Sequence, residues 1–412
     1  MEVLDKGVTT FMILATSLVM LMTPGLAFFY GGLGDKKNIL NIMMQSFVSL
    51  CLTTVLWYSF GYSLCFSGTM ANGSDFMGII GNFDKAFLHG ITAKTMMPGK
   101  GFPEYVFFAY QMMFAIITPA LITGAFINRV TFKSYVFFLI FWQVFVYYPF
   151  VHMIWGGGLL QEWGVLDFAG GIVVHATAGF AALVATIYVG TRVNPKHQPN
   201  NIPLVAIGTS LLWFGWYGFN AGSELDVNDI TVAAFINTDV AASFAAVTWL
   251  IIEWNTGKRK PTFIGLMTGA VAGLATITPA SGYVTVESAA LIGMLAGVVC
   301  YLAVEFKNYM KWDDALDVWG VHGMGGVFGT IFMGLFASKA INPGALDGLF
   351  YGGGWTLMGK EVVALLFAIV WASTFTWGML HVINKFIKVR VSEDMQEHGL
   401  DIHMHGEVAR AI

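Results

Sequence analysis

Residues 9–32 read TTFMILATSLVMLMTPGLAFFYGG. No charge interrupts this run, and it exceeds the ~20 apolar residues a helix needs to cross the hydrocarbon of a bilayer. It lacks the alternation over ~10 residues that marks a strand of a membrane barrel. Ten further runs of the same kind follow, at 39–66, 104–126, 134–153, 168–190, 203–222, 231–254, 263–278, 286–306, 317–337 and 360–387. The expectation is an all-α polytopic membrane protein of eleven transmembrane helices. The start, Met1-Glu2-Val3-Leu4-Asp5-Lys6, has no clear positive segment or small-residue cleavage site of a secretory signal, so the first run is read as a retained helix.

Composition agrees. Of 412 residues, 56% are apolar and only 11% charged, against ~25% charged in soluble proteins. Such a chain cannot coat a globule with polar surface. Disordered, collagen-like, disulfide-framework and nucleic-acid-binding classes are excluded, and a net charge of −4 implies no polyanionic partner. Cys51, Cys65 and Cys300 lie inside apolar runs, odd in number and without a CxxC, and read as small buried hydrophobes. Gly recurs within spans, as at Gly265, Gly269, Gly273, Gly293 and Gly297, where small residues let helices approach closely in lipid.

Lys and Arg set the orientation. One set of loops carries Lys36, Lys37, Arg129, Lys133, Arg192, Lys196, Lys258, Arg259, Lys260, Lys307 and Lys311, and the tail adds Lys385, Lys388, Arg390 and Arg410. The other side has only Lys6, Lys85, Lys94, Lys100, Lys339 and Lys360. This places the N-terminus outside and the C-terminus in the cytoplasm.

Ionisable residues inside spans are costly and point to function. Two stretches carry them: Asp167-Phe-Ala-Gly-Gly-Ile-Val-Val-His175 and Asp317-Val-Trp-Gly-Val-His322. Each puts an Asp at a helix start and a His inside it, and the two helices enter from opposite sides. They are the fifth and tenth spans, so the chain reads as two inverted five-helix repeats, about 9–190 and 203–337, plus a last helix at 360–387. Inverted repeats carry their site at the repeat interface near the midplane. Asp is also a favoured N-cap, so capping and function stay open for both Asp167 and Asp317. Aromatic residues that could hold a cation on their faces include Trp155, Trp216, Phe219 and Phe114; an interfacial aromatic belt explains aromatic residues at span ends as well, and composition does not choose between them.

The chain closely resembles the ammonium transporter family, in its Amt/Mep branch, over nearly its whole length. The resemblance rests on Pro24-Gly-Leu-Ala-Phe-Phe-Tyr-Gly-Gly, on His152-Met-Ile-Trp155-Gly-Gly-Gly followed by the Asp167–His175 stretch, and on Gly215-Trp-Tyr-Gly-Phe-Asn-Ala-Gly-Ser223. Thr278-Pro-Ala-Ser-Gly-Tyr and Asp317-Val-Trp-Gly-Val-His322-Gly add to it. It implies a homotrimer in the cell membrane, with one pore per subunit and no cofactor or metal. By the same resemblance Trp155, Phe114, Ser223 and Asp167 belong to an outer ammonium recruitment site. Phe114 and Phe219 form a gate. His175, His322 and Trp216 line the pore, and Phe29 and Tyr30 lie near its cytoplasmic exit. The Trp and Ser of the outer site are intact, which separates the chain from the related Rh glycoproteins, and His175 is intact where some fungal members carry Glu.

The physics fits that implication. Stripping water from an ion is expensive, so a dry pore rejects K+. Ammonium alone can leave a proton and cross as NH3, or as NH3 with a relayed proton, and methylammonium is its natural analogue. An ammonium receptor with little flux is the main alternative; a metalloenzyme using His175, His322 and Asp167 has too few ligands and no adjacent base. The protein divides into a transmembrane domain, 1–387, and a tail, 388–412. Glu393, Asp394 and Glu397 are expected to face the basic cytoplasmic surface. His398, His403 and His405 suggest a metal only weakly. The tail resembles the family's regulatory segment, which implies coupling between subunits and docking of a PII signal protein.

Overall fold

The computed structural model of the chain describes residues 3–195, 199–256 and 260–409. Lys196, Lys258, Arg259 and Arg410, counted above for orientation, lie outside the described residues. Among the described residues the elements are all helical, with no named strand. Among the described residues, ten helices are long and apolar enough to cross a bilayer. They are α1 (Lys6–Leu33), α2 (Lys36–Phe66), α3 (Glu104–Ala125), α4 (Phe132–Trp163), α5 (Gly171–Val189), α6 (Ile202–Glu224), α7 (Asp229–Asn255), α9 (Val286–Tyr309), α10 (Trp319–Phe336) and α11 (Thr356–Phe386).

The remaining expected span, 263–278, is the helix α8, Phe263–Ile277, of 15 residues. At 1.5 Å per residue it is roughly 22 Å long, short of the ~20 residues of an ordinary crossing. The turn through Thr278 and Pro279 ends it early.

Hydrogen bonds sort the loops into two faces. On the N-terminal face, Asp5 N–H donates to Gly101 O, Lys100 reaches Glu224 O, Phe168 N–H donates to Pro279 O, and Ser338 N–H donates to Tyr283 O. On the opposite face, Asn201 N–H donates to Gly32 O and Ala315 N–H to Ala125 O, while Arg129 and Arg192 both reach Asp313. The tail lies on this second face.

Glycine sets the helix spacing. A Cβ on Gly269, Gly273, Gly293 or Gly297 would come within 2.4–2.7 Å of atoms on α7, so α8 and α9 both press backbone-close on one neighbour. The outside of the bundle is apolar: Ile13, Phe214, Val232, Leu302 and Leu366 are more than half exposed. Apolar surface of that extent suits lipid or subunit contact, not water.

The tail is packed, not frayed. Val391 N–H donates to Arg129 O and Thr131 N–H to Val389 O. Asp401 accepts from the N–H groups of Leu40 (3.0 Å) and Asn41 (2.8 Å), two of the orphan donors at the start of α2. The acidic residues behave differently from expectation. Glu393, Asp394 and Glu397 are exposed, and Lys37 Nζ donates to the backbone oxygen of Glu397, not to a carboxylate. Docking therefore runs through main chain, Gln396 and Asp401. His405 Nε2 contacts Asn41 Oδ1 at 3.1 Å, and among the described residues the tail histidines are in no group able to hold a metal.

Candidate functional site

Helix α5 opens with a π-turn, Gly171–Ala176, which carries His175. π-Turns are rare and concentrate at functional sites. The chain enters it through Gly170 at φ +118°, a conformation side chains rarely adopt. Asp167 holds the turn. Its Oδ1 accepts from Gly170 N (2.8 Å) and Gly171 N (2.7 Å), and its Oδ2 from Ile172 N (2.8 Å) and Val173 N (3.1 Å). All four orphan donors of the helix start are met by one carboxylate.

The second histidine sits in a matching π-turn, Trp319–Gly323, at the start of α10. Its capping carboxylate is not Asp317. That residue has φ +58°, which swings its side chain away to an ion pair with Lys307 at 2.5 Å. Asp314 does the capping, accepting from Trp319 N at 2.7 Å. Asp167 and Asp314 each precede their histidine by eight residues. Asp314 Oδ1 is buried without a hydrogen-bond partner. Burial pushes its carboxyl up to about 6, against the pull of the Lys307 charge.

The two π-turns meet. Gly179 of α5 lies against Gly323 of α10, where an added Cβ would stand 2.1 Å from Gly323 Cα. This approach brings His175 and His322 together, Nδ1 to Nδ1 at 3.3 Å, with rings at 25°. Both are buried, at 1% and 4% exposure. Two nitrogens at that distance share one proton at a time.

Above the pair, on the N-terminal face, is a vestibule of about 510 Å³ lined by Phe114, Trp155, Asp167 and Ser223, among others. The Trp155 and Phe114 rings meet edge to face at 6.1 Å, and Phe114 stacks on Phe219 at 4.1 Å and 25°. Trp155 Nε1 donates to Asp167 O at 2.8 Å. Ser223 Oγ donates to Phe219 O at 2.8 Å, which leaves its lone pairs as acceptors. Aromatic faces and a hydroxyl acceptor together suit a small cation bearing N–H groups. Phe114 and Phe219 are 1% exposed and close the floor.

Below them lies a cavity of only about 10 Å³, lined by Leu26, Trp216, Phe219, His175, His322 and other apolar groups. A single water needs ~10–15 Å³. His322 and Phe29 line this cavity and also the next, a vestibule of about 190 Å³ on the tail face that includes Tyr30 and Asp317. The residues singled out from sequence thus fall along one line: Trp155 and Ser223, the Phe114–Phe219 pair, His175 with Trp216, His322, then Phe29 and Tyr30. A permeating ion would meet no charged side chain in the narrow section, only two imidazoles.

Sequence reasoning missed the supports. Tyr110, one turn before Phe114, bonds to the backbone oxygens of Gly218 and Phe219 at 2.9 Å and sits 3.3 Å from Ser223 Oγ. It joins α3 to α6 beside the gate. Thr278 accepts from Trp216 Nε1 at 2.9 Å. Asp314 could have been found by matching the eight-residue spacing of Asp167 to His175; nothing in the sequence marks Tyr110.

Residues 10–410 match the family model described as Ammonium Transporter Family. Ammonium transporter 1 of Dictyostelium discoideum is 42% identical, over 98% of this chain and 87% of that protein. Ammonium transporter Amt1 of Archaeoglobus fulgidus is 40% identical, over 98% of this chain and 100% of that protein. Among solved structures, Mep2 of Saccharomyces cerevisiae aligns with a TM-score of 0.87 at 32% identity, covering 95% of this chain and 88% of Mep2. A chain titled Sensor Amt Protein aligns with a TM-score of 0.87 at 29% identity, covering 97% and 98%.

Proposed function

The chain belongs to the Ammonium Transporter Family, whose members are membrane transporters and not enzymes, and from that premise we propose that it recruits NH4+ at the Trp155–Ser223 vestibule and conducts NH3 past the paired histidines. The observation that carries this reading is the imidazole pair at 3.3 Å in the narrowest part of the path. A dehydrated cation is costly there, whereas NH3 is neutral. The ammonium proton passes to His175, is shared with His322, and leaves on the tail face, either alone or to rejoin NH3. The Phe114–Phe219 pair opens transiently to admit one molecule at a time. Asp167 acts through the helix start it caps and through the indole it holds.

The same reading takes α8 as an eleventh span, because it runs between loops of opposite faces. It takes α1 to α5 and α6 to α10 as inverted repeats, a reading supported by the paired Asp-to-His spacing and paired π-turns. The protein sits in the cell membrane with its N-terminus outside, as three pores in a homotrimer, and the packed tail is the docking face for a PII signal protein. A sensor with little flux is the second reading, favoured by the alignment to Sensor Amt Protein over 97% of the chain and by the closed gate. Purified protein in a planar bilayer separates the two. Ammonium current without K+ current supports transport; specific ammonium binding with no current supports a sensor and overturns the conducting role.

A further inference from the structure

One buried His–Asp contact lies outside this path, and the geometry points to its holding the recruitment site in place. His152 stands one turn before Trp155 on α4. Its side chain is 0% exposed, and that of its partner Asp75 is 3% exposed. Asp75 comes from the long loop between α2 and α3. His152 Nε2 lies 2.9 Å from Asp75 Oδ2, and Nδ1 lies 2.9 Å from the backbone oxygen of Cys65. A carbonyl oxygen only accepts, so Nδ1 donates to Cys65 O, while Asp75 Oδ1 accepts from Gly78 N at 3.2 Å. With Asp75 ionised, the ring donates from both nitrogens, as only an imidazolium does. In that state the contact is a charge-assisted brace.

The brace bears on Trp155 directly. The His152 backbone oxygen accepts from Gly156 N and Gly158 N, both at 3.0 Å, which turns the chain just after the indole. The turned segment is tied to the Asp75 loop twice more, by Leu159 N to Gly78 O (2.8 Å) and by Met70 N to Gly157 O (2.9 Å). A Cβ on Gly156 would stand 2.0 Å from Cys65 O, so the turn cannot shift towards α2. The Trp155 side chain is thus fixed at its tip by Asp167 O and at its base by the His152–Asp75 pair. His152 and Asp75 are positioning residues: they touch no substrate but set the angle of the aromatic face that does. This role rests on the reading of Trp155 as part of the recruitment site.

Two measurements test it. In native protein labelled with ¹⁵N-histidine, the signals lost in His152→Gln should show both ring nitrogens protonated at neutral pH; a neutral ring overturns the brace. In reconstituted vesicles, His152→Gln and Asp75→Asn should each raise the methylammonium half-saturation by about three- to tenfold at an unchanged maximal rate per inserted protein, with the double variant no worse than the singles. Half-saturation unchanged in both, beside a rise in Trp155→Leu, overturns the positioning role and leaves the recruitment site standing. Half-saturation unchanged in Trp155→Leu itself overturns the recruitment site, and the role built on it falls too, while the nitrogen spectrum still decides the charge of the pair. A general loss of maximal rate with normal half-saturation also overturns positioning.

Discussion

The two ends of the pore use one backbone device in two electrostatic settings. At the N-terminal face Asp167 satisfies four N–H groups and keeps no free oxygen lone pair aimed elsewhere. At the tail face Asp314 meets Trp319 N, leaves one oxygen buried and unpaired, and relies on Lys307, whose Nζ donates to the Asp314 backbone oxygen and to Asp317. Both caps start a π-turn that delivers a histidine. The one on the N-terminal face is closed, with all four N–H groups met. The one on the tail face is part-satisfied, and its carboxyl is pushed up to about 6. The histidines match in geometry while their supports differ, so substitutions on the two sides should not be equivalent.

The largest effect is expected at Asp167. Asn would turn an NH2 towards two of the four N–H groups, leaving them unpaired at ~1–3 kcal/mol each. Uptake by Asp167→Asn should fall by about a hundredfold or more, with a lower unfolding temperature in detergent. Normal uptake by a stable Asn variant would show that the closed cap is dispensable. Next is the histidine pair. Replacing both by Ala enlarges a cavity of about 10 Å³ enough for water, so a dehydration barrier is lost. Ammonium selectivity over K+ should drop by at least about tenfold, read as reversal potential. A double variant that still excludes K+ and carries ammonium normally would dismiss the relay.

These contrasts also show what was legible in the sequence. The spans were, because a lipid-facing helix must be apolar along its whole length and charges fall in loops. Asp167 and His175 were, because an acid and an imidazole stand out in an apolar run. Asp317 misled, since proximity to the helix start does not reveal a positive φ that turns the side chain towards Lys307. The short α8 was legible too: the run read at 263–278 differs by one residue from the helix Phe263–Ile277. Tyr110 was invisible, and Thr278 was visible only as part of a motif: the role of each comes from a partner on a distant helix. The acidic residues Glu393, Asp394 and Glu397 misled for the same reason, because main-chain bonds, Gln396 and Asp401 seat the tail instead.

A smaller effect is expected at Asp314. Its carboxyl, ordinarily near 3.8, is raised to about 6 by burial, so the folded chain binds this proton more tightly than the unfolded one. Its protonation therefore stabilises the fold, fully below about 4, and that contribution is lost as pH rises through about 6. The unfolding temperature of the native protein should rise on acidification through this window. Asp314→Asn keeps an acceptor for Trp319 N and removes the titration, so its profile should be flatter, with transport within a few-fold of normal. An unaltered profile would place the titration elsewhere.

The smallest expected effect compares two lysines. Lys307, beside the inner vestibule, is neutralised by Asp317 at 2.5 Å. Lys100 lines the outer vestibule with Trp155 and Ser223, and its ammonium group meets only the backbone oxygen of Glu224, at 3.4 Å. Among the described residues no carboxylate pairs with Lys100. The head group has the charge and the donors of the substrate, so it competes for acceptors and repels an arriving cation. Across a water-filled mouth that repulsion is ~0.5 kcal/mol, or about twofold in affinity. Lys100→Met should lower the methylammonium half-saturation about twofold at low ionic strength, and the gap should close in high salt as screening removes the charge term. Lys100→Arg keeps the charge and should match the native protein. A Met variant with native half-saturation at low salt would mean that the vestibule field is set elsewhere, with Glu224 the next charge to vary.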